Sequence, residues 1–287
     1  MIIENDILRV SLKPLGAELS GIYNKETALE YLWQAGELWP KHSPVLFPVV
    51  GGLKNNNYTY NGLEYTLNRH GFARESKFEV DVQTNDSISF RLTSSAATKA
   101  VYPFNFNFFV KYQLKDNKIF ISYLVDNTGE ETMYCSVGAH PAFKLPLVYE
   151  TEYSDYYLQF NKAENAGVWP LSEDGLIEEK PLPFFDNTNS FALKKELFYK
   201  DALVFKNLAS SEISILNNKN KHGLTVAFGG FDYMGIWSAK NADFVCIEPW
   251  CGIADNVNHN GELKDKEGII QLSAGNTFER TWSVELF

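Results

Sequence analysis

Residues 108–125 read FFVKYQLKDNKIFISYLV, and this stretch decides the fold class. Apolar and polar side chains largely alternate in 108–114 and again in 118–125, which is the two-residue period of a half-buried strand. Asp116 and Asn117 stand between the two runs and favour a tight turn. The stretch therefore predicts an antiparallel β-hairpin.

Similar strand-like runs occur along most of the chain, at residues 8–12, 58–67, 77–82, 87–92, 202–205, 212–216, 224–228, 233–237, 244–247 and 278–286. Helical periodicity is scarce, and the best candidates are 25–32 and 95–99. The sequence predicts an all-β fold, a single large antiparallel β-sandwich. No linker or repeat divides it, so we expect one domain over residues 1–287. Residues 155–189 are predicted to be a long excursion, and 253–268 a polar loop.

Composition narrows the function. With 36 acidic and 26 basic residues the formal net charge is −10, which argues against a nucleic-acid partner. The longest uncharged apolar run, residues 43–53, contains two prolines and two glycines and is too short to span a membrane. No basic segment precedes an apolar run at the N-terminus, so no signal peptide is expected. Cys135, Cys246 and Cys251 show neither zinc nor redox spacing, which favours the reducing cytoplasm.

Three short segments contain candidates for acid–base chemistry. His70 lies in a loop-like break beside Gly71, His140 is pinned at a strand end by a proline, and Glu248 follows an apolar strand. A carboxylate at the rim of a sheet can be partly desolvated, which raises its basicity, and Trp250 could offer a sugar ring an apolar platform. Taken singly, each of these residues is equally compatible with a structural role. No role is assigned to His42, His222 and His259.

Together these segments resemble the aldose 1-epimerase (galactose mutarotase) superfamily, in its LacX-type branch of mutarotase-related proteins. The similarity covers almost the whole chain and rests on the order and spacing of short motifs. These are Pro-Val-Val-Gly at 48–51, residues 58–62, the His70 loop, Gly-x-His-Pro-x-Phe at 138–143 and Ile-Glu-Pro-Trp at 247–250.

The resemblance implies a sandwich with an open cleft and an isomerase that interconverts the α and β anomers of an aldohexose without metal or organic cofactor. It makes His140 the general acid and Glu248 the general base, and His70 a hydrogen-bond partner of the sugar. Asp201 matches an aspartate that grips sugar hydroxyls, with Asp232 as a rival. Phe143 and Trp250 are further expected sugar contacts. A sugar is the expected partner, and a homodimer stays open.

One departure concerns charge. Galactose mutarotases keep an arginine shortly after the Val-x-Gly segment, whereas this chain has only Lys54 nearby. Lysine offers a point charge where arginine offers a planar fork. The 69–74 stretch instead resembles hexose-6-phosphate mutarotases, so a phosphosugar substrate stays open, with Lys54, Arg69 and Arg74 as phosphate contacts. Arg74 could equally pair with a carboxylate at the cleft wall.

Two further alternatives follow from the same residues. A carbohydrate-binding protein without catalysis could use this scaffold, since a fold does not fix a function. The presence of both His140 and Glu248 favours an enzyme, because pure binding needs no acid and base. A metal-dependent enzyme with His70, His140 and Glu248 as ligands is less favoured, since the close His-x-His spacing of such barrels is missing.

Overall fold

The computed structural model describes every residue from Met1 to Phe287, and most of its regular structure is β-strand. The first strands in chain order are β1 (Ile2–Glu4), β2 (Leu8–Lys13), β3 (Glu18–Asn24), β4 (Leu29–Glu30), β5 (Val45–Leu46), β6 (Asn57–Tyr60), β7 (Leu63–Thr66), β8 (Glu79–Gln83), β9 (Ser87–Thr93), β10 (Phe106–Lys115), β11 (Lys118–Asn127) and β12 (Met133–Cys135). The others are β13 (Val137–Ala139), β14 (Ala142–Lys144), β15 (Tyr156–Glu164), β16 (Thr188–Ala192), β17 (Leu203–Lys206), β18 (Glu212–Asn217), β19 (Leu224–Ala227), β20 (Tyr233–Trp237), β21 (Phe244–Cys251), β22 (Ile270–Leu272) and β23 (Thr277–Leu286). One α-helix, α1 (Ala96–Val101), joins them, and 3₁₀ turns lie at Lys54–Asn56, Ala73–Glu75, Tyr153–Asp155, Lys195–Phe198 and Leu263–Asp265.

Two large antiparallel sheets form a β-sandwich, as the sequence predicts. The nine-stranded sheet has the order β16-β15-β18-β19-β23-β11-β10-β9-β8. The six-stranded sheet has the order β17-β20-β21-β13-β5, and β14 also pairs with β21. A four-stranded sheet (β1 to β4) and the pairs β6-β7 and β12-β22 complete the strand pairing.

The predicted hairpin at 108–125 forms the centre of the nine-stranded sheet as β10 and β11. Phe108 pairs with Val125, and alternate side chains of both strands are buried. The ring of Phe108 stacks on Phe47, which follows β5 of the other sheet, with 4.4 Å between ring centres. This contact joins the two sheets within one main core of 62 buried residues. The core draws on strands from β1 to β23, which supports the single domain that the sequence predicts; the domain count itself stays a prediction.

Strand β21 is buried on both faces and positions the candidate site. All eight of its residues are buried. Val245 and Ile247 belong to the main core, whereas Phe244 and Cys246 belong to a smaller cluster. Because successive side chains of a strand point to opposite faces, Glu248 falls on the same face as Phe244 and Cys246. We call this the outer face of β21.

The predicted helix at 25–32 is wrong, while the one at 95–99 is confirmed as α1. The Asn24 carboxamide oxygen accepts the backbone N–H groups of Glu26 and Thr27, which makes a turn, and Ala28 has a φ of +58°. The following residues form β4. Local side-chain bonding therefore overrides the helical pattern. In α1, Ser95 caps the first turn by accepting the Thr98 N–H.

The run 58–67 is a hairpin of β6 and β7, because Asn61 and Gly62, a pair typical of tight turns, both adopt a positive φ and reverse the chain. The predicted excursion 155–189 begins with a full strand, β15, inside the nine-stranded sheet. The loop 253–268 is irregular apart from one 3₁₀ turn, yet Asp255 and Lys266 within it are buried. No helix of the chain is long and apolar enough to cross a membrane.

Candidate active site

A cavity of about 420 Å³ lies against the outer face of β21. Strands β20 and β21 and the turn between β13 and β14 form one part of its wall. The remainder comes from loop residues near positions 39–44, 69–74, 198–202 and 238–240. The cavity thus collects side chains from distant parts of the chain.

An acid–base pair lies at the bottom of this cavity. Nε2 of His140 is 3.3 Å from Oε2 of Glu248, and the two side chains are 13% and 2% exposed. Their placement follows from the sheet, because both β13 and β14 pair with β21 and His140 occupies the turn between them. A histidine and a carboxylate in such contact can exchange a proton directly.

Two tryptophans enclose the ring of His140. The indole of Trp39 stacks on it, with ring centres 5.2 Å apart and planes 25° apart. Trp237 meets it edge-on at 5.6 Å. Nδ1 of His140 is buried and has no hydrogen-bond partner. The ring is therefore fixed by packing and is largely removed from water.

Burial shifts the pKa values of the pair in opposite directions. It raises the pKa of Glu248 well above its usual range, against the opposing effect of Arg69. It lowers the pKa of His140 to about 3, and the positive charges of Arg74 and Arg69 act in the same direction. Desolvation favours the uncharged form of each group. Burial therefore favours the form of the pair in which both groups are uncharged and the proton is on the carboxyl group.

His70 faces His140 across the cavity, with ring centres 5.8 Å apart. It adopts a φ of +68°, and its Nδ1 accepts the backbone N–H of Gly51 at 3.1 Å. Burial, followed by the neighbouring His140 and Arg69, lowers the pKa of His70 well below its usual range. An Nδ1 that accepts a hydrogen bond carries no proton, and the residue lines the cavity.

The indole of Trp250 fits between two glycines of the neighbouring strands. A Cβ atom at Gly235 would lie 2.5 Å from Cη2 of the indole, and one at Gly138 would lie 2.7 Å from Cδ1. The indole Nε1 is buried without a partner, and the residue lines the cavity. Side chains larger than glycine would displace this ring, because so close an approach is sterically forbidden.

Basic residues outnumber acidic ones in the cavity wall. Asp201 and Glu248 face five basic residues, namely Lys41, Arg69, Arg74, Lys200 and Lys240. Nη2 of Arg69 is 4.0 Å from Oδ2 of Asp201, and Arg74 donates to the backbone oxygen of Arg69 at 2.9 Å. The cavity is thus locally positive in a chain with a net charge of −10.

Ligand atoms suited to a metal ion cluster around the same pair. Side-chain atoms of His140, Cys246 and Glu248 lie within 4.8 Å of one another. His70 is outside this group, and its Nδ1 already accepts a backbone N–H. His70, His140 and Glu248, the metal ligands that the sequence suggested, therefore do not form one cluster.

Comparison with known proteins identifies the family. The family model described as aldose 1-epimerase matches residues 1–271. The chain belongs to the aldose 1-epimerase family. It is 33% identical to the plasmid-encoded protein LacX of Lactococcus lactis subsp. lactis, over 99% of this chain and 98% of that protein. This similarity puts it in the LacX-type branch.

Two solved structures of similar sequence have the same fold as this chain. A galactose mutarotase related enzyme from Lactobacillus acidophilus superimposes with a TM-score of 0.95 at 36% identity, covering 100% of this chain and 97% of that one. A galactose mutarotase-like protein from Lactobacillus casei ATCC 334 gives a TM-score of 0.93 at 26% identity, covering 100% and 99% of the chains. The similarity therefore extends over the whole fold.

The structure brings most of the predicted site residues to one cavity. The cavity wall includes His70, Arg69, Arg74, His140, Asp201, Glu248 and Trp250. Asp232, the rival of Asp201, is exposed and does not line the cavity. Between the two aspartates, only Asp201 is in a position to contact a ligand there.

Phe143 and Lys54 are wrongly predicted as ligand contacts. Phe143 is fully buried in the main core, because strand alternation turns it away from Ala142 and the outer-face cluster. The ammonium of Lys54 donates to the backbone oxygen of His259 at 3.3 Å, since the chain enters a 3₁₀ turn at this residue. Neither residue lines the cavity.

Several residues of the cavity wall were not predicted from the sequence. Trp39, Trp237, Lys41, Lys200 and Lys240 all line the cavity. Trp237 is the last residue of a predicted strand, and in the structure it pairs with Cys246 of β21. Its place at the end of a strand was the one sequence signal that it could reach a site. The lysines stand in loops, and nothing in the local sequence tells which way a loop turns.

Proposed function

We propose that the protein is an isomerase that interconverts the α and β anomers of an aldohexose. The observation that carries the proposal is the contact of 3.3 Å between Nε2 of His140 and Oε2 of Glu248 in the cavity. Anomerisation needs one base and one acid near the same sugar, and this pair supplies both. Membership of the aldose 1-epimerase family supports the same reaction.

In the proposed reaction the Glu248 carboxylate takes the proton of the anomeric hydroxyl. The His140 imidazolium gives its proton to the ring oxygen, the bond between C1 and the ring oxygen breaks, and C1 becomes an aldehyde carbon. Rotation about the C1–C2 bond exposes the other face of the aldehyde. The C5 hydroxyl, formed from the ring oxygen, then attacks C1 and gives its proton to His140, while Glu248 gives its proton to the aldehyde oxygen. Glu248 is again a carboxylate and His140 an imidazolium.

The pKa shifts suit this division of labour. A carboxylate whose pKa is raised binds the hydroxyl proton more strongly, and an imidazolium whose pKa is lowered gives up its proton more readily. The reactive pair of carboxylate and imidazolium differs from the neutral pair only by one proton moved across the 3.3 Å contact. Ring opening returns the pair to the neutral form that burial favours.

We assign sugar binding to three further groups. His70 donates a hydrogen bond from the ring nitrogen that Gly51 leaves free. The Asp201 carboxylate accepts sugar hydroxyls, and its own orientation is held by the Ala202 N–H at 2.7 Å. Trp250 is only 6% exposed but lines the cavity, so a small part of its indole is available to the sugar.

Substitution of the base tests the proposal. In Glu248→Gln we expect exchange between the anomers of D-galactose, measured by NMR magnetisation transfer, to slow by about 10²- to 10⁴-fold with nearly unchanged sugar binding. The matched control is Glu164→Gln, a buried carboxylate outside the cavity that accepts the N–H groups of Ala209 and Ser210. Wild-type exchange in Glu248→Gln contradicts the proposal.

A 6-phosphosugar is the second candidate substrate, because five basic residues line the cavity. Arg74 pairs with Glu75 at 3.7 Å, but Glu75 is 63% exposed, so water and salt weaken this pair and leave the guanidinium available. Glucose 6-phosphate should then bind at least about tenfold tighter than glucose through charge-assisted hydrogen bonds.

Titration of both sugars decides between these substrates. For a phosphosugar the preference should weaken at high salt and in Arg74→Ala. Equal affinities that do not change in Arg74→Ala leave the neutral aldohexose as the substrate. Sugar binding without any anomeric exchange by the wild type would instead identify a carbohydrate-binding protein.

We also propose a cytoplasmic location, since all three cysteines are free and buried.

A further inference from the structure

A second buried pair of opposite charges lies behind the cavity wall. Nζ of Lys266 is 2.8 Å from Oδ1 of Asp255, and the two side chains are 0% and 1% exposed. Neither residue lines the cavity, and the proposed reaction uses neither. A buried ion pair gives weak net stabilisation, so its retention calls for another reason.

Asp255 holds two loops together. Its Oδ2 accepts the backbone N–H of Lys54 at 2.9 Å, and its own N–H donates to the oxygen of Gly52 at 2.9 Å. Its backbone oxygen accepts the N–H of Ile177 at 2.8 Å. Both ends of the 51–54 segment are therefore fixed relative to Asp255.

The 51–54 segment connects Asp255 to His70. Gly51 donates its N–H to Nδ1 of His70 at 3.1 Å, and its oxygen accepts the His70 N–H at 2.9 Å. Gly51 has a φ of +73°, and a Cβ atom there would lie 2.6 Å from the backbone nitrogen of Ala254. The segment thus packs directly on the residue before Asp255.

A second branch leads from Asp255 to Arg69. The segment that ends at Ile177 contains Gly175, whose backbone oxygen accepts a hydrogen bond from Nη2 of Arg69 at 3.3 Å. Arg69 lines the cavity beside Asp201. This branch uses only the backbone oxygen of Asp255, whereas the 51–54 branch also uses its carboxylate, through the Lys54 N–H.

We propose that Asp255, balanced by Lys266, is a positioning residue that fixes the tautomer and orientation of His70. Because Nδ1 accepts the Gly51 N–H, the single proton of the neutral ring must reside on Nε2. Nε2 then presents a donor to the cavity. The part of this inference that concerns sugar binding rests on the proposed function, whereas the tautomer does not.

NMR of the histidine rings tests this inference. Long-range ¹H–¹⁵N correlations identify the protonated nitrogen, and His70→Gln assigns the His70 signals. In Asp255→Ala/Lys266→Met, which removes both charges and the acceptor, we expect mixed His70 tautomers and a D-galactose Kd raised roughly 2- to 10-fold. Asp255→Asn/Lys266→Met keeps an acceptor oxygen and should return both readouts toward wild type. Glu164→Ala is the matched control, since it removes a buried carboxylate outside the cavity.

The outcomes separate this inference from the proposed function. A single Nε2–H tautomer and an unchanged Kd in Asp255→Ala/Lys266→Met would overturn it. If that variant does not fold, the wild type still decides, because a His70 proton on Nδ1 would also overturn it. A wild type with the expected tautomer but no sugar binding would contradict the proposed function and leave the positioning role standing.

Discussion

Two buried acid–base contacts, His140–Glu248 and Lys266–Asp255, differ in how completely their polar atoms are hydrogen-bonded. The His140–Glu248 pair has a contact of 3.3 Å, and Nδ1 of His140 has no hydrogen-bond partner. The Asp255–Lys266 pair has a contact of 2.8 Å, and Asp255 also accepts a backbone N–H. Buried polar groups are normally paired, so an unpaired one in the wall of a cavity is a candidate ligand contact. The loosely bonded pair is free to act on a ligand, and the fully bonded pair holds the backbone.

The first prediction breaks the loosely bonded pair completely. In His140→Asn/Glu248→Gln, anomeric exchange should fall about as far as in either single variant, by about 10²- to 10⁴-fold, because the two groups act as a unit. The free energy of unfolding, measured in urea, should change little, since burial favours the uncharged form of the pair and the variant also has two uncharged polar groups there. If the rate losses of the two single variants multiply in the double variant, His140 and Glu248 act independently, which would contradict this prediction.

The second prediction breaks the fully bonded pair on one side. Lys266→Met removes the ammonium that balances the buried Asp255 carboxylate, which should lower the free energy of unfolding by about 3–5 kcal/mol. Asp255→Asn/Lys266→Met should recover much of that loss, because no charge is then left unpaired. Urea unfolding of the three proteins is the measurement, and a fully stable Lys266→Met would contradict the comparison.

The third prediction concerns pH. Burial lowers the pKa of folded His140 to about 3, so between about 6.5 and about 3 the unfolded chain binds a proton there that the folded chain does not. The contribution of His140 to stability therefore falls as pH falls through this window, by up to about 1.4 kcal/mol per pH unit, whereas the raised pKa of Glu248 acts in the opposite direction at pH values above the usual carboxyl pKa. In His140→Asn we expect a flatter dependence of unfolding free energy on pH between about 4 and 6. An unchanged slope would count against a neutral buried ring.

The smallest expected effect is that of Lys54→Met. The side chain of Lys54 reaches the backbone oxygen of His259, not the cavity, and the backbone N–H that Asp255 accepts is kept in the variant. Binding of glucose and of glucose 6-phosphate should therefore stay within about twofold of wild type. Isothermal titration against Arg74→Ala gives the contrast, and a large loss in Lys54→Met would restore its predicted role.

The fold and the acid–base pair were predictable because their signals are local. Alternation in 108–125 identifies the hairpin at the centre of the larger sheet, and the motif around His140 places it just after a strand. Glu248, expected directly after a strand at the rim of a sheet, lies instead inside β21, because this strand continues to Cys251. The helix expected at 25–32 fails for a reason that is also local, namely the turn around the Asn24 side chain. Periodicity alone does not weigh such side-chain bonds.

The rest of the site depends on contacts between distant segments. Lys54 was chosen because it follows the 48–51 motif closely, yet proximity in sequence does not fix the direction of a side chain beyond a turn. Lys240 and Trp39 reach the cavity from loops far apart in the chain. Asp255 and Lys266 lie in a segment that looks like a solvated loop, and only the surrounding fold makes both of them buried.

The fit of Trp250 between Gly138 and Gly235 also has a consequence for redesign. In a mutant library designed to change ligand specificity, substitutions at these two glycines are expected to fail, because any side chain there would clash with the indole. The loops that contribute Lys41, Lys200 and Lys240 are free of this restriction. Divergence of specificity in this scaffold, by selection or in the laboratory, is therefore expected to proceed through the rim while the floor stays constant.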